Sequence, residues 1–168
     1  MMAMNDNFYI YDVTIEVVRP WYAPFLSDLK PVKKKQLDML KECYAKFYDD
    51  TSVIERVTHL DSAFHRDSEC MPFVDGGVMS GALRSIGYKN AIVRGVIYLP
   101  VDSILIDTRS VSVGTKRTAF NGEYVMPTAV VNAKLQINMT DLTTAQLYVG
   151  QRRSKGYGMI NAKFKRLT

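Results

Sequence analysis

The sequence has little of what several kinds of site require. Only two of its 168 residues are cysteine and two are histidine, and the two cysteines fit neither a zinc site nor a disulfide framework. No apolar run approaches the roughly 20 residues needed to cross a bilayer, and the first seven residues lack the basic and apolar regions of a secretory signal. We therefore expect a cytoplasmic protein in which Cys43 and Cys70 are buried or free thiols.

The residues that are abundant indicate a folded protein with a segregated charge. Apolar residues make up 47% of the chain and 18 residues are aromatic, which excludes intrinsic disorder. The length suits a single domain over 1–168. Residues 1–114 hold 13 Lys/Arg and 15 Asp/Glu, a net charge of −2, whereas residues 115–168 hold 9 Lys/Arg and 2 Asp/Glu, a net charge of +7. This asymmetry favours a polyanionic partner.

The first half of the chain contains one clear strand and one clear helix. Apolar and polar residues alternate over 8–18, which predicts a strand with one solvent-facing side. Apolar residues recur every three or four positions over 31–48, which predicts a helix. No period is visible over 49–72, so a long loop is expected there. Residues 21–71 together are therefore expected to form a helical insertion after the first strand.

The second half of the chain predicts a mixed order of elements. A glycine turn leads into a short helix over 76–87, and Asp141 is a plausible N-cap for a second helix. The expected elements are strands at 92–99 and 103–107, a basic, turn-rich excursion at 109–127, a strand at 128–139, a helix at 142–149 and a strand at 157–167. This order predicts an α+β fold of the ferredoxin-like (RRM-like) βαββαβ type.

The most informative segment is the glycine-rich basic stretch 149–159. Its glycines permit a positive φ or a close approach of the backbone, and its basic side chains suit phosphate oxygens. Backbone N–H groups in such a loop can also bind an anion. The stretch lacks the spacing of a Walker A loop, and a strand follows it where a dinucleotide fingerprint needs a helix. A tight basic turn before an edge strand remains the alternative interpretation.

The segment from Gly150 to Met159 resembles the C-terminal glycine-rich loop of the repeat-associated (RAMP) superfamily of CRISPR RNA-binding proteins. The segment from Pro72 to Arg84 resembles the start of the first RAMP helix, although Asp75-Gly76-Gly77 stands where Pro-Gly-Ser is usual. Residues 111–118 resemble the basic hairpin that leads into the second half-motif. The resemblance covers 72–168 well and 8–20 weakly, and residues 21–71 match no pattern of the family. This insertion would be either an RNA-gripping thumb or a protein-docking arm.

The resemblance implies a set of RNA-binding residues. Phosphate contacts would come from Arg152, Arg153, Ser154 and Lys155, and close backbone approach from Gly150, Gly156 and Gly158. Lys116 and Arg117 would track the strand, Arg84 would contact RNA or pair with a buried carboxylate, and Tyr157 would stack on a base or belong to the core. The implied partners are single-stranded guide RNA and other CRISPR subunits or copies of the chain itself, with no membrane, cofactor or metal.

Three functions follow from this resemblance. The first, which we favour, is a non-catalytic RNA-binding subunit of a CRISPR-type ribonucleoprotein, without catalytic residues. The second is a metal-independent endoribonuclease of repeat RNA, which needs a base and an acid at the cleaved bond. Only His59 and His65 are available for it, and neither lies in the short helix where the family usually carries its histidine. The third is a RAMP-like protein-interaction module or CRISPR inhibitor.

Overall fold

The computed structural model describes residues 7–151 and 157–167, and it describes only the backbone of residues 110–113. The described residues form helices α1 (Lys30–Phe47), α2 (Thr51–Val57) and α3 (Gly77–Ser85), and a turn of 3-10 helix at Val101–Ser103. None of these helices is long and apolar enough to cross a membrane. The strands are β1 (Tyr9–Val17), β2 (Trp21–Tyr22), β3 (His65–Arg66), β4 (Pro72–Asp75), β5 (Val93–Arg94), β6 (Val96–Tyr98), β7 (Ile104–Val113), β8 (Lys116–Val125), β9 (Val130–Ile137), β10 (Thr144–Tyr148) and β11 (Met159–Arg166).

The largest sheet has five strands in the order β10-β11-β1-β9-β5, and every neighbouring pair is antiparallel. Strand β1 lies at its centre and confirms the strand predicted at 8–18. Val13, Ile15 and Val17 are buried on one side of β1, while Thr14 and Glu16 are exposed on the other. The sheet therefore has one face in the protein core and one face open to solvent.

The core lies between the buried face of this sheet, helix α3 and the sheet β3-β4-β6. Helix α3 buries Met79 and Leu83 completely, and each such side chain contributes on the order of 1.5–3 kcal/mol relative to exposure. Ser80 fixes the helix against β5, because its hydroxyl accepts the N–H of Val93 at 2.8 Å. The helix predicted at 76–87 is thus confirmed, although its last residue is Ser85.

Strands β7 and β8 form one long hairpin, so the irregular excursion predicted at 109–127 is wrong, whereas the hairpin that the resemblance implies at 111–118 is confirmed. The ten residues of β7 pair in register with the ten of β8, from Ile104 opposite Val125 to Val113 opposite Lys116. Gly114 has φ +65° at the turn, a conformation that glycine adopts without a steric penalty. Strand β2 pairs with the other end of β8 and completes a second sheet, β2-β8-β7. The long series of polar residues conceals how far this pairing extends beyond 111–118.

The insertion contains more structure than its sequence predicts. Helix α1 confirms the helix predicted at 31–48, but the loop expected at 49–72 contains α2 and β3. Helix α2 has only seven residues and no visible period, and Asp50 caps it by accepting the N–H of Ser52 at 2.9 Å. A second apolar cluster joins α1 and α2 to Ile106 of β7. The insertion is therefore packed against the hairpin.

Cys43 and Cys70 form a disulfide, which corrects the expectation of two free thiols. Cys43 lies on the buried side of α1, and Cys70 follows the turn after β3. Folding the insertion back on itself brings the two residues together across a separation of 27 positions. No local pattern in the sequence reports such a contact.

The helix predicted at 142–149 is also wrong, because this segment contains strand β10. Leu147 and Val149 are buried while Thr144 and Gln146 are exposed, which is the period of a strand. Pairing with β11 places β10 at the edge of the five-stranded sheet. The structure is α+β, but the specific ferredoxin-like βαββαβ arrangement is not confirmed, since a strand stands where its second helix is expected.

Candidate functional site

The glycine-rich basic loop connects β10 to β11, two neighbouring antiparallel strands. The sequence correctly places a strand after it and wrongly places a helix before it. Of the seven residues of this loop that are predicted to bind RNA, Gly150 and Gly158 are described and flank the loop. The remaining five lie outside the described residues: Arg152, Arg153, Ser154, Lys155 and Gly156.

Gly150 and Gly158 are required by the protein's own packing. Gly150 has φ +80°, and a Cβ atom there would lie 2.6 Å from the indole Cδ1 of Trp21. Gly158 has φ +78°, and its Cβ would collide with the carbonyl oxygen of Val149. Real Cβ atoms do not approach other atoms so closely, so both positions need glycine. In the structure, these two glycines let the loop backbone pack closely against Trp21 and Val149. A close approach of the same backbone to RNA stays a prediction.

Both ends of the loop are hydrogen-bonded to β2 and to the residue that precedes it. The N–H of Gly158 donates to the carbonyl of Pro20 at 2.8 Å, and the N–H of Gln151 donates to the carbonyl of Tyr22 at 3.3 Å. The N–H of Val149 donates to the carbonyl of Gly158 at 3.0 Å and closes the base of the loop. The base is therefore fixed at one end of the five-stranded sheet.

An aromatic cluster links this base to the hairpin. The ring of Tyr157 meets that of Tyr22 edge to face at 5.3 Å between centroids. The guanidinium of Arg109, on β7, lies 3.8 Å from the centroid of Tyr22 and 4.5 Å from that of Phe120. Tyr157 thus contacts a second aromatic ring, and stacking on a base stays a prediction. Sequence reasoning missed Arg109 because a cation on a strand has no motif around it.

The polar groups of this cluster retain hydrogen-bonding capacity. Tyr22 donates its hydroxyl proton to Asp107 Oδ2 at 2.8 Å. The pKa of Tyr22 is raised to about 12, first by burial and then by the hydrogen bond to Asp107 and its negative charge. The hydroxyl therefore stays protonated near neutral pH. Asp107 Oδ1 and Arg109 Nε and Nη1 are buried, and none of them has a hydrogen-bond partner among the residues that the structure describes. One acceptor oxygen and two donor nitrogens of this cluster thus have unused hydrogen-bonding capacity.

The remaining predicted cations lie apart from the loop. Lys116 and Arg117 are exposed near the hairpin turn. Tyr124 is the residue of β8 that pairs with Tyr22. Arg117 precedes Tyr124 by seven residues, a distance of about 23 Å along an extended strand. Arg84, at the end of α3, donates from Nε to the carbonyl of Ala91 at 3.0 Å. Within the described part of the chain no carboxylate pairs with Arg84, so the expected ion pair is not found there.

The open face of the five-stranded sheet adds cations that sequence reasoning did not select. Asp12 of β1 lies between Lys165 of β11 and Lys134 of β9 in the pairing register. Lys163 of β11 lies two residues from Lys165 on the same exposed side. The alternation of lysine with apolar residues along β11 could have revealed part of this group.

The two histidines do not form a common site. His59 follows the end of α2, whereas His65 lies on β3 with its ring 5.9 Å from that of Phe73. Both histidines are exposed. Across residues 7–151 and 157–167, no group of three or more His, Cys, Asp or Glu residues could hold a metal ion.

A buried ionic cluster fixes the insertion to the hairpin beside this surface. Glu123 of β8 is fully buried and accepts hydrogen bonds from Arg66 of β3, from the hydroxyl of Tyr44 and from the N–H of Phe64. Burial and the adjacent Glu123 raise the pKa of Tyr44 far above its ordinary value. Burial by itself lowers the pKa of Arg66, but its hydrogen bonds and attraction to Glu123 raise it overall. Sequence reasoning missed this cluster, because its members are far apart in the chain.

No protein-family model matches the sequence, and no curated protein matches it. Among solved structures, the chain is similar to one chain in the cryo-EM structure of the type III-B Cmr-beta bound to cognate target RNA. The TM-score is 0.57 at 12% sequence identity, and the match covers 96% of this chain and 61% of the other. This chain thus spans less than two thirds of that neighbour's length. The similarity shows a shared fold.

Proposed function

We propose that this protein is a RAMP-like, non-catalytic RNA-binding subunit of a CRISPR-type ribonucleoprotein. In this proposal the basic loop 150–158 grips the backbone of single-stranded guide RNA. The observation that carries it is the fixed base of the loop, where Gly150 and Gly158 pack against Trp21 and Val149. A loop fixed at its base loses less conformational entropy when it binds. Arg152, Arg153, Ser154 and Lys155 would then contact phosphates, with Gly156 permitting close approach.

The charge distribution supports a polyanionic ligand. Residues 115–168 carry a net charge of +7, and the cations Lys134, Lys163 and Lys165 lie on the sheet whose end holds the loop. Such cations attract phosphates and release the counterions that surround a nucleic acid. Lys116 and Arg117, at the hairpin turn, would contact the strand at a point distant from the loop.

The neighbour supports the partners in this proposal. Its structure contains cognate target RNA, and it shares the fold over 96% of this chain. We extend this to an RNA strand and to further CRISPR subunits or copies of the chain as partners. A cytoplasmic location belongs to the same proposal.

The proposal is tested by titrating the purified protein with a fluorescently labelled single-stranded RNA at several salt concentrations. Affinity should fall with salt, with a log–log slope of about −0.7 for each phosphate neutralised. The double variant Arg152→Ala, Arg153→Ala should bind more weakly, with a slope smaller by about 0.7 for each phosphate that the variant no longer neutralises. The matched control is Lys34→Ala, Lys35→Ala on α1, which removes the same charge from another exposed site.

Two results would contradict the proposal. No binding at about 50 mM salt would exclude an RNA-binding function, and an equal loss of affinity in the control would show that the loop has no special role in binding. Shortening of the RNA in EDTA, abolished by His59→Ala or His65→Ala, would overturn the non-catalytic assignment and favour an endoribonuclease.

A further inference from the structure

A row of three aromatic side chains crosses the small sheet β3-β4-β6. His65, Phe73 and Tyr98 are directly opposite one another in the pairing register. Their ring centroids are 5.9 Å apart between His65 and Phe73 and 6.1 Å apart between Phe73 and Tyr98. The buried side of this sheet, with Val74 and Ile97, belongs to the protein core. The row therefore lies on the opposite side, which faces solvent.

The rings of this row are accessible. Tyr98 is 48% exposed, His65 is exposed and Phe73 is half-buried. Val96 lies beside the row and is 44% exposed. An aromatic and apolar surface across three strands is unusual for a solvated sheet face, and such patches mark interaction sites.

Carboxylates surround the row. Asp75 lies two residues after Phe73 on the same face of β4. The pKa of Tyr98 is raised, first by desolvation and then by the negative charges of Asp67 and Glu69 nearby. The turn that carries these two acids is well fixed, because Asp67 Oδ1 accepts the N–H groups of Glu69 and Met71 at 2.9 Å each. This acidic aromatic face repels phosphates, unlike the basic loop.

The protein itself shows which group suits such rings. Arg109 lies 3.8 Å from the ring centroid of Tyr22, and Arg94 lies 3.8 Å from that of Phe8. The described cation–π contacts all use rings outside the row. His65, Phe73 and Tyr98 thus present aromatic surface and adjacent negative charge, and among the described residues no arginine covers them.

We propose that the acidic aromatic face docks an arginine-bearing segment of a protein partner. A guanidinium can stack on Phe73 or Tyr98 while its N–H groups reach the carboxylates of Glu69 and Asp75. A lysine ammonium has no planar surface for stacking and is more strongly hydrated, so it binds less tightly there. An RNA base could stack on the same rings, but its phosphates would lie against three carboxylates. Charge complementarity therefore selects the arginine segment.

The test uses the full chain labelled with ¹⁵N and the peptide acetyl-Arg-Gly-Arg-amide. Its addition should shift the amide signals of β3, β4, β6 and the turn at 67–71, and the matching lysine peptide should bind more weakly. Tyr98→Leu should weaken arginine-peptide binding about three- to tenfold, and Glu69→Gln should weaken it and reduce its salt dependence. The controls Phe47→Leu and Glu42→Gln change exposed residues of α1 and should leave binding unchanged.

Three results would overturn the proposal. The first is the absence of shifts at these amides. The second is equal binding of the lysine and arginine peptides, since a guanidinium would then have no advantage. The third is tighter binding of an oligouridylate than of the arginine peptide at the same amides, which would make the row a base-stacking surface. Because Tyr98 and Glu69 are exposed, both variants should retain the fold, which circular dichroism checks directly.

Discussion

Arg66 holds Glu123 through two parallel hydrogen bonds, from Nη1 to Oε1 at 2.8 Å and from Nη2 to Oε2 at 2.6 Å. The side chains are 6% and 0% exposed, so the pair is almost completely removed from water. It connects β3 of the insertion to β8 of the hairpin. A bidentate pair in this environment is specific in geometry, and loss of one partner leaves a buried charge unpaired.

Glu123→Gln should lower the free energy of unfolding by about 3–5 kcal/mol, because the Arg66 guanidinium loses its countercharge. Urea unfolding followed by circular dichroism measures this change. The control is Lys33→Ala, which removes the partly exposed pair between Lys33 and Asp61 at 3.6 Å and should cost about 0–1 kcal/mol. Equal effects of the two substitutions would show that the buried pair has no special role.

Gly158→Ala should destabilise the protein by about 1–3 kcal/mol or more, because its φ of +78° and the contact with the Val149 carbonyl both exclude a Cβ atom. The matched substitution is Gly81→Ala in the middle of α3, where no atom lies within 4 Å of the new Cβ. It should stabilise α3 by about 0.5–1 kcal/mol. Thermal unfolding of both variants gives the comparison, and the same sign of change for both would contradict it.

Helices and strands with a clear periodicity of apolar residues could be predicted from the sequence. Elements whose conformation depends on pairing with a distant strand could not. Strand β1 alternates apolar and polar residues and helix α1 repeats every three to four, so each pattern has one interpretation. Segment 142–149 fits a helix by its cap and a strand by its alternation, and pairing with β11 decides for the strand. Its tertiary context overrides the local signal.

Of the candidate site, the sequence could predict only the features that a residue type indicates by itself, such as the unusual backbone at a glycine. The glycines of the basic loop indicate a special backbone, and Gly150 and Gly158 do have positive φ. Arg66 and Glu123 are 57 positions apart, and neither residue type indicates burial by itself. Arg109 contacts both Tyr22 and Phe120 because β7 and β2 each pair with β8, which only the folded structure brings about.

The pair Cys43–Cys70 should be a disulfide in protein purified without reductant. Its intact mass should be about 2 Da below that of the dithiol, for the two hydrogens removed on oxidation. Reduction should lower the free energy of unfolding by about 3–4 kcal/mol, as expected for a closed loop of this length. The variant Cys43→Ser, Cys70→Ser should not respond to reductant.

Detection of two free thiols in the untreated protein would contradict this pairing. The same measurement bears on location, because disulfides rarely persist in reducing compartments. If the bond forms only after exposure to air, a cytoplasmic location remains compatible with the structure. If it is present in protein alkylated at lysis, the expectation of a cytoplasmic protein loses support.

The stability of the protein should decrease as the pH rises from about 10 to 12, in part because of Tyr22. Its pKa is about 12 in the folded protein and 10.0 in the absence of perturbation, so folding favours the protonated hydroxyl. This contribution is fully present below pH 10 and is lost as the pH rises through 12. Tyr22→Phe should therefore make the decrease less steep in urea unfolding at a series of pH values.

The ionisation of Tyr22 can also be followed directly by the absorbance of its phenolate. The difference between the wild-type and Tyr22→Phe titrations should show one phenol with a midpoint near 12. In the Asp107→Asn background that midpoint should move toward 10, because Asp107 accepts the Tyr22 proton at 2.8 Å and its charge opposes the phenolate. A midpoint that does not move would assign the raised pKa to burial alone. The polar link from β2 to β7 would then have no influence on the ionisation of Tyr22.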